Sequence, residues 1–129
     1  MRALVVDDDA MNRELLRRML VRLGWRVDDA RDGRAALASC AEARYELILV
    51  DQMMPGLDGL TLARFIVDAY AKDGHRPCLL AVTGMLLEDG DRDVFDGVLA
   101  KPFVMEDLDS AIKAAALSRE RSGQAASGD

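Results

Sequence analysis

Residues 46–51 read Glu-Leu-Ile-Leu-Val-Asp, four large apolar residues in a row that end at a carboxylate. An apolar run without polar alternation is typical of a β-strand that helices cover on both faces. Residues 3–9, Ala-Leu-Val-Val-Asp-Asp-Asp, and residues 78–83, Cys-Leu-Leu-Ala-Val-Thr, follow the same pattern. These runs predict the interior of a parallel sheet whose strands end in polar residues.

Helical periodicity separates the apolar runs. The first helix carries an apolar stripe made of Met11, Leu15, Met19 and Leu23 and widened by Leu16 and Leu20. Gly24 is expected to end this helix as the residue after its C-cap. Asp32 is expected to cap a second helix that runs to about Ala43, and Asp58 a third over Gly59–Ala71.

The last helix carries apolar residues at helical spacing, namely Leu108, Ala111, Ile112 and Ala115. Glu106 and Asp107 in its first turn suit the positive end of the helix dipole. By contrast, the stretch Leu86–Phe95 contains Gly90 and four acids, which make it a poor helix. The predicted strands are Ala3–Val6, Arg26–Ala30, Glu46–Val50, Cys78–Val82 and Val98–Ala100.

This alternation predicts an α/β fold, a doubly wound parallel sheet of five strands with helices on both faces. The helix between the fourth and fifth strands is expected to be short or irregular. Residues 1–118 are expected to form one domain. Residues 119–129, whose last eight are Ser-Gly-Gln-Ala-Ala-Ser-Gly-Asp, are expected to be a disordered tail or a clipped linker.

Composition excludes several function classes. The 129 residues carry a formal net charge of −6, which argues against nucleic-acid binding by this domain. The apolar runs are too short to span a membrane, and the early acids do not suit a signal peptide. Cys40 and Cys78 lack metal-ligand or redox spacing and are interpreted as small buried hydrophobes. A cytoplasmic location is expected.

Polar residues end four of the predicted strands, and such sheets bind ligands outside the carboxyl ends of their strands. The four strand ends carry Asp7-Asp8-Asp9, Asp51, Thr83 and Lys101. Crowded carboxylates repel one another and need a cation, and a set of oxygen ligands favours Mg²⁺ or Mn²⁺. A carboxylate can also attack phosphorus and form an aspartyl phosphate.

Each of these signals has an ordinary structural explanation when it is taken alone. A doubled Asp after a strand is commonly a turn or a helix cap, and Asp9 is interpreted as a cap or a solvated acid. Thr83 alone would be structural, and Lys101-Pro102 alone could be an ordinary loop. Their joint occurrence, each at its own strand end, indicates a site.

Four segments together resemble the receiver domains of response regulators, over residues 3–117. They are Leu4-Val5-Val6-Asp7-Asp8-Asp9-Ala10-Met11-Asn12-Arg13, Leu47-Ile48-Leu49-Val50-Asp51-Gln52-Met53-Met54-Pro55-Gly56-Leu57-Asp58-Gly59, Leu80-Ala81-Val82-Thr83-Gly84 and Leu99-Ala100-Lys101-Pro102-Phe103. The resemblance implies a flavodoxin-like strand order, 2-1-3-4-5. It also implies a switch in a two-component phosphorelay, either a stand-alone receiver or the receiver of a hybrid kinase.

The resemblance implies a role for each matched residue. Asp51 would be the phosphoacceptor, and Thr83 and Lys101 would contact the phosphoryl group. Mg²⁺ (or Mn²⁺) would be held by Asp7, Asp8, Asp51 and the main-chain carbonyl of Met53. The Lys101–Pro102 peptide would be cis, and Gly84 would leave room for the phosphoryl group.

The same resemblance implies partners: a histidine kinase or histidine phosphotransfer protein as phosphodonor, and a downstream protein target. Neither nucleic acid nor membrane is expected as a partner of this domain. The chain would not be an enzyme but a phosphoacceptor that catalyses its own phosphorylation and loses the group slowly.

Two features depart from the family pattern. Val98 occupies a position where many members carry Tyr or Phe, and the segment between Thr83 and Lys101 is shorter than in most members. We therefore expect the conformational change to be expressed in the segment Gly84–Asp96. His75 lies in a loop and is interpreted as a surface residue.

Three other functions compete with this interpretation. An aspartate-nucleophile phosphohydrolase usually has a general acid two residues after the nucleophile, where this chain has Met53. A nucleotide-binding domain needs a glycine-rich first turn, whereas Asp7-Asp8-Asp9-Ala10 would repel a pyrophosphate. A degenerate receiver that acts only by binding would not need the complete set of site residues.

Overall fold

The computed structural model describes residues 1–52, 59–71, 76–84 and 94–127, with residues 118–127 described by their backbone alone. Its strands are β1 (Arg2–Val6), β2 (Arg26–Ala30), β3 (Leu47–Asp51), β4 (Cys78–Thr83) and β5 (Gly97–Ala100). Its helices are α1 (Ala10–Arg22), α2 (Gly33–Glu42), α3 (Gly59–Ala71) and α4 (Met105–Ser127).

The strands form one parallel sheet in the order β2-β1-β3-β4-β5. This confirms the predicted doubly wound α/β fold and the strand order. The register aligns the carboxyl ends of the inner strands: Val6 lies opposite Val50, Asp51 opposite Val82, and Thr83 opposite Ala100. Residues that follow these positions therefore emerge at one edge of the sheet.

Two apolar cores lie on the two faces of the sheet. Alternate residues of each inner strand enter opposite cores, as the two-residue period of a strand requires. One core joins the sheet to α2 and α3, and includes Ile48, Val50, Leu62 and Ile66. The other joins the sheet to α1 and α4, and includes Leu49, Leu16, Leu20 and Leu108. Cys40 and Cys78 are half-buried at the margins of these cores.

Helix boundaries follow the predicted capping signals. Asp9 is the N-cap of α1 and accepts hydrogen bonds from the N–H groups of Met11 and Asn12. Asp32 caps α2 through the N–H of Ala35, at 2.8 Å. After α1, Gly24 has a φ of +97°. That left-handed conformation suits glycine, which carries no Cβ.

The predicted apolar stripe of α1 was wrong in its centre. Met11 is 82% exposed and Leu15 is 47% exposed, whereas Leu16 and Leu20 are buried. The buried face is therefore rotated by about one residue, with Met19 and Leu23 only partly buried beside it. The helix turns the side chains of Leu16 and Leu20, one helical turn apart, onto the sheet.

Several predictions fall outside the described residues. They concern Met53, Asp58, His75 and most of Leu86–Phe95, the stretch predicted to be a poor helix, of which only Val94 and Phe95 are described. The backbone of α4 continues to Ser127, past the expected boundary at residue 118. The division of the chain into 1–118 and 119–129 stays a prediction. Within the described ranges, no helix has the length and apolar character of a membrane span.

Candidate functional site

The end of β1 places a buried carboxylate at the carboxyl edge of the sheet. Asp7 follows Val6 and is only 1% exposed, while Asp8 is exposed. The N–H of Asp7 donates to the carbonyl of Ala30 at 3.1 Å, and its Oδ1 accepts from the N–H of Asp9 at 2.9 Å. Its other oxygen, Oδ2, is buried and has no hydrogen-bond partner among the described residues.

The neighbouring strands bring three more polar side chains to this edge. Asp51 is the last residue of β3 and Thr83 the last of β4, and both are buried. Lys101 follows β5, where its N–H donates to the carbonyl of Thr83 at 2.9 Å. Its ammonium nitrogen, Nζ, lies 3.5 Å from Oδ1 of Asp51. The Lys101–Pro102 peptide is cis, as the family resemblance implied.

The carboxylates of Asp7, Asp8 and Asp51 form one cluster, in which an oxygen from each lies within 4.8 Å of the others. Burial raises the pKa of Asp7 from its ordinary 3.8 to about 6. The hydrogen bond from Asp9 and the charge of Lys101 oppose this shift, while the charges of Asp51 and Asp8 add to it. The ionised form of Asp7 is therefore less favourable here than in water even with Lys101 nearby, and a further cation would stabilise it.

These residues fit a divalent cation. Oδ2 of Asp7 is a buried oxygen for which the described residues offer no hydrogen-bond donor. The ligand atoms that the cluster offers are all carboxylate oxygens, the type that hard ions such as Mg²⁺ prefer. An ion there would supply the positive charge that the three acids need.

Two glycines shape the surroundings. A Cβ at Gly59, the first residue of α3, would lie 2.6 Å from Oε1 of Gln52 and 2.9 Å from the carbonyl oxygen of Asp51. The close approach of α3 to the end of β3 therefore requires glycine. A Cβ at Gly84 would meet no atom of the described residues within 4 Å, so none of those residues crowds the end of β4.

One edge of the sheet thus carries the residues that the sequence predicted there, namely Asp7, Asp8, Asp51, Thr83 and Lys101. The main-chain carbonyl of Met53, the remaining predicted ligand, lies outside the described residues.

Sequence reasoning missed a contact of Arg13, whose Nη1 donates to the carbonyl of Asp7 at 2.8 Å. The sequence offered only a weak signal for this contact: Arg13 lies four residues, about one helical turn, after the N-cap Asp9.

Comparisons with known proteins agree with this geometry. The transcriptional regulatory protein ResD of Bacillus subtilis is 49% identical over 68 residues, which cover 53% of this chain and 28% of ResD. The sensor histidine kinase AruS of Pseudomonas aeruginosa is 37% identical over 113 residues, which cover 84% of this chain and 11% of AruS. The chain thus spans less than a third of either relative.

A solved structure of similar fold is the response regulator TrrA of Thermotoga maritima, determined in complex with Mg²⁺ and BeF. It superposes with a TM-score of 0.78 and 29% sequence identity, over 88% of this chain and 97% of TrrA. The sequence model of the response regulator receiver domain matches residues 3–113. The chain therefore belongs to the receiver domain family of two-component response regulators.

Proposed function

We propose that this receiver domain is a phosphorylation-controlled switch in which Asp51 accepts a phosphoryl group with the help of Mg²⁺ (or Mn²⁺). The observation that carries the proposal is the position of Asp51, buried at the end of β3. Its carboxylate lies with those of Asp7 and Asp8 in one cluster and 3.5 Å from the Lys101 ammonium. The residues proposed as nucleophile, ion ligands and fixed cation therefore lie close together.

Asp51 would act as the nucleophile. One of its carboxylate oxygens forms a bond to phosphorus while the bond from phosphorus to an imidazole nitrogen of the donor histidine breaks. The imidazole nitrogen keeps the bonding electrons and takes up a proton. The product is an aspartyl phosphate on Asp51 and a neutral histidine on the donor.

Asp7, Asp8, Asp51 and the main-chain carbonyl of Met53 would hold the metal ion. When bound, the ion offsets the charge of the carboxylates and of the phosphoryl oxygens. The complex of TrrA with Mg²⁺ and BeF supports a magnesium site of this kind. The buried Oδ2 of Asp7 and the raised pKa of that group support the same requirement for a cation in this chain.

Lys101 and Thr83 would bind the phosphoryl oxygens. The ammonium of Lys101 already lies beside Asp51, so it needs only a small movement to pair with a phosphoryl oxygen. The Thr83 hydroxyl can donate a hydrogen bond from the neighbouring strand, and Gly84, which carries no side chain, would leave room for the group. These contacts exist only after phosphorylation, so they can drive a change of conformation.

Signal output would differ from that of relatives with an aromatic residue in β5. Val98 is partly exposed on β5 and has a short, stiff side chain. We therefore place the change in Gly84–Asp96, a segment that lies mostly outside the described residues. Slow loss of the phosphoryl group is expected because Met53 occupies the place of a general acid.

The phosphodonor would be a histidine kinase or histidine phosphotransfer protein, and the phosphorylated domain would act on a downstream protein. The matches to a transcriptional regulator and to a sensor kinase support either arrangement, a separate regulator or a receiver joined to a kinase. A cytoplasmic location is proposed because a kinase that draws on cellular ATP must reach Asp51.

Intact mass measurement after incubation with acetyl phosphate or phosphoramidate tests the proposal. With Mg²⁺ present, the wild-type chain should gain one phosphoryl group, and chelation of the metal should prevent it. Asp51→Asn should abolish the gain. Asp109→Asn is a matched control, because Asp109 pairs with Lys113 on α4 and is not part of the carboxylate cluster. Undiminished labelling of Asp51→Asn would assign the phosphoryl group to another residue.

A further inference from the structure

Asp7 is oriented by three hydrogen bonds, one of which comes from Arg13. The backbone N–H of Asp7 bonds to Ala30, and its Oδ1 accepts from Asp9. Its carbonyl oxygen accepts from Nη1 of Arg13 at 2.8 Å. Together these contacts leave Oδ2 as the remaining oxygen of Asp7, buried and without a hydrogen-bond partner among the described residues. The direction of Oδ2 therefore depends on all three hydrogen bonds.

The carbonyl that Arg13 holds belongs to the peptide that joins Asp7 to Asp8. A peptide unit is planar, so a fixed carbonyl also fixes the direction of the Asp8 N–H and of its Cα. Arg13 therefore contacts the peptide unit between the two acids that are proposed to share the metal ion. A small rotation of that unit would move both carboxylates relative to Asp51.

Arg13 is itself held in place. Its Nε lies 3.3 Å from Oδ2 of Asp29 on β2, and its side chain is only 18% exposed. The planar guanidinium thus joins α1, the end of β1 and the edge strand β2 through two different nitrogens. A lysine has one compact ammonium and cannot reproduce both contacts with the same geometry.

We infer that Arg13 is a positioning residue for the metal site: it holds the Asp7–Asp8 peptide so that both carboxylates face one ion. This inference rests on the proposed function, since it assumes that Mg²⁺ binds between Asp7, Asp8 and Asp51.

Whether Arg13→Ala weakens or strengthens Mg²⁺ binding distinguishes a positioning role from a purely electrostatic one. Arg13 is a cation close to a proposed cation site, so its charge alone disfavours Mg²⁺. If charge were its main effect, Arg13→Ala would bind Mg²⁺ more tightly. If Arg13 positions the loop, the same variant binds Mg²⁺ more weakly, because the ligand oxygens lose their common direction.

Isothermal titration calorimetry of the full chain with Mg²⁺, without phosphodonor, shows whether the Mg²⁺ affinity falls or rises. We expect Arg13→Ala to weaken Mg²⁺ binding about tenfold, the usual scale for residues that orient metal ligands. Arg13→Lys should bind with intermediate affinity. Arg17→Ala is the matched control: it removes a cation from the next turn of α1, where Arg17 pairs with Glu14. It should change the affinity less than twofold.

A second variant and a second readout keep the test decisive if Arg13→Ala is unstable. Asp29→Asn leaves the Arg13–Asp7 contact possible but removes the ion pair that anchors it, and should weaken Mg²⁺ binding by a smaller factor. In acetyl phosphate labelling, the Mg²⁺ concentration for half-maximal rate should rise in the Arg13 variants, while the rate at saturating Mg²⁺ stays close to wild type. A purely structural defect would lower that maximal rate.

Affinity that is unchanged or tighter in folded Arg13→Ala or Arg13→Lys overturns the positioning role. The proposed function is then still supported if the wild-type chain binds Mg²⁺ and is phosphorylated at Asp51. Failure of the wild-type chain to bind Mg²⁺ at millimolar concentration overturns both.

Discussion

The chain contains two Asp-Asp pairs whose surroundings differ. Asp7-Asp8 follows β1, and Asp28-Asp29 lies within β2, the edge strand. Asp28 and Asp29 are each paired with an arginine: Asp28 with Arg2 at 3.2 Å and Asp29 with Arg13 at 3.3 Å. Asp7 is buried instead, and its Oδ2 has no partner among the described residues.

The difference separates acids whose charge is balanced by arginines within the chain from a buried acid with an unpartnered oxygen among the described residues. An exposed ion pair on an edge strand is complete within the chain and contributes little more than local order. A buried carboxylate with an unpaired oxygen destabilises the chain that contains it, and is retained where a ligand supplies the missing charge. The contrast therefore supports the proposal that Asp7-Asp8, rather than Asp28-Asp29, takes part in ligand binding.

The largest expected effect is on the unfolding free energy of the metal-free chain. Asp7→Asn should raise it at pH 7 by up to about 3 kcal/mol, since each pKa unit corresponds to about 1.4 kcal/mol. The folded pKa of Asp7, about 6, lies above its ordinary 3.8. Its contribution to stability is thus complete below the lower value and is lost as pH rises through the upper one.

Urea unfolding of both proteins between pH 4 and pH 8, with chelator present, measures this prediction. The difference in unfolding free energy between Asp7→Asn and wild type should grow as pH rises between the two pKa values of Asp7, and stay constant above pH 7. Asp28→Asn is the control from the other pair, and should lower stability by about 1 kcal/mol because it weakens contacts with Arg2 and Tyr45. A wild-type chain no less stable than Asp7→Asn at pH 7 would contradict the contrast between the pairs.

Removal of Asp8, the exposed member of the Asp7-Asp8 pair, tests whether this pair binds Mg²⁺. Asp8→Ala should weaken Mg²⁺ binding at least tenfold, about 1.4 kcal/mol. It should also lower the rate of labelling by acetyl phosphate, because both depend on the same ion. The thermal stabilisation that Mg²⁺ gives to the wild-type chain by mass action should shrink accordingly. Equal Mg²⁺ affinity in Asp8→Ala and wild type would make Asp7-Asp8 an ordinary turn.

Prediction from the sequence succeeded where residues follow strands and failed where a helix had to be oriented. Asp7, Asp51, Thr83 and Lys101 could be placed because apolar runs mark the ends of parallel strands, and these ends lie on one edge. The core face of α1 was misplaced because its apolar residues cover a wide arc. Only packing against the sheet selects Leu16 and Leu20 as the buried centre.

The contact of Arg13 with Asp7 was missed for the same physical reason. The direction of a long side chain depends on how its helix is rotated about its axis, which periodicity constrains only loosely. The need for glycine at position 59 was also beyond the sequence alone, because it arises from the approach of α3 to the end of β3. Such contacts depend on distances between elements rather than on patterns within them.

The smallest expected effect tests whether Asp28, unlike Asp29, is independent of the Asp7-Asp8 pair. The buried Tyr45 donates a hydrogen bond from its hydroxyl to Oδ2 of Asp28 at 2.6 Å, and Arg2 lies over its ring at 5.8 Å from the centroid. Tyr45→Phe removes the hydrogen bond but keeps the ring and the Arg2–Asp28 pair. Asp28 is half-exposed, so water can replace the lost donor, and the unfolding free energy should fall by only about 1 kcal/mol. Urea unfolding should show a lower midpoint with an unchanged slope, and Mg²⁺ titration should give the wild-type affinity. Weaker Mg²⁺ binding by Tyr45→Phe would mean that β2 transmits changes at Asp28 to the end of β1, so Asp28 as well as Asp29 would be coupled to the proposed metal site.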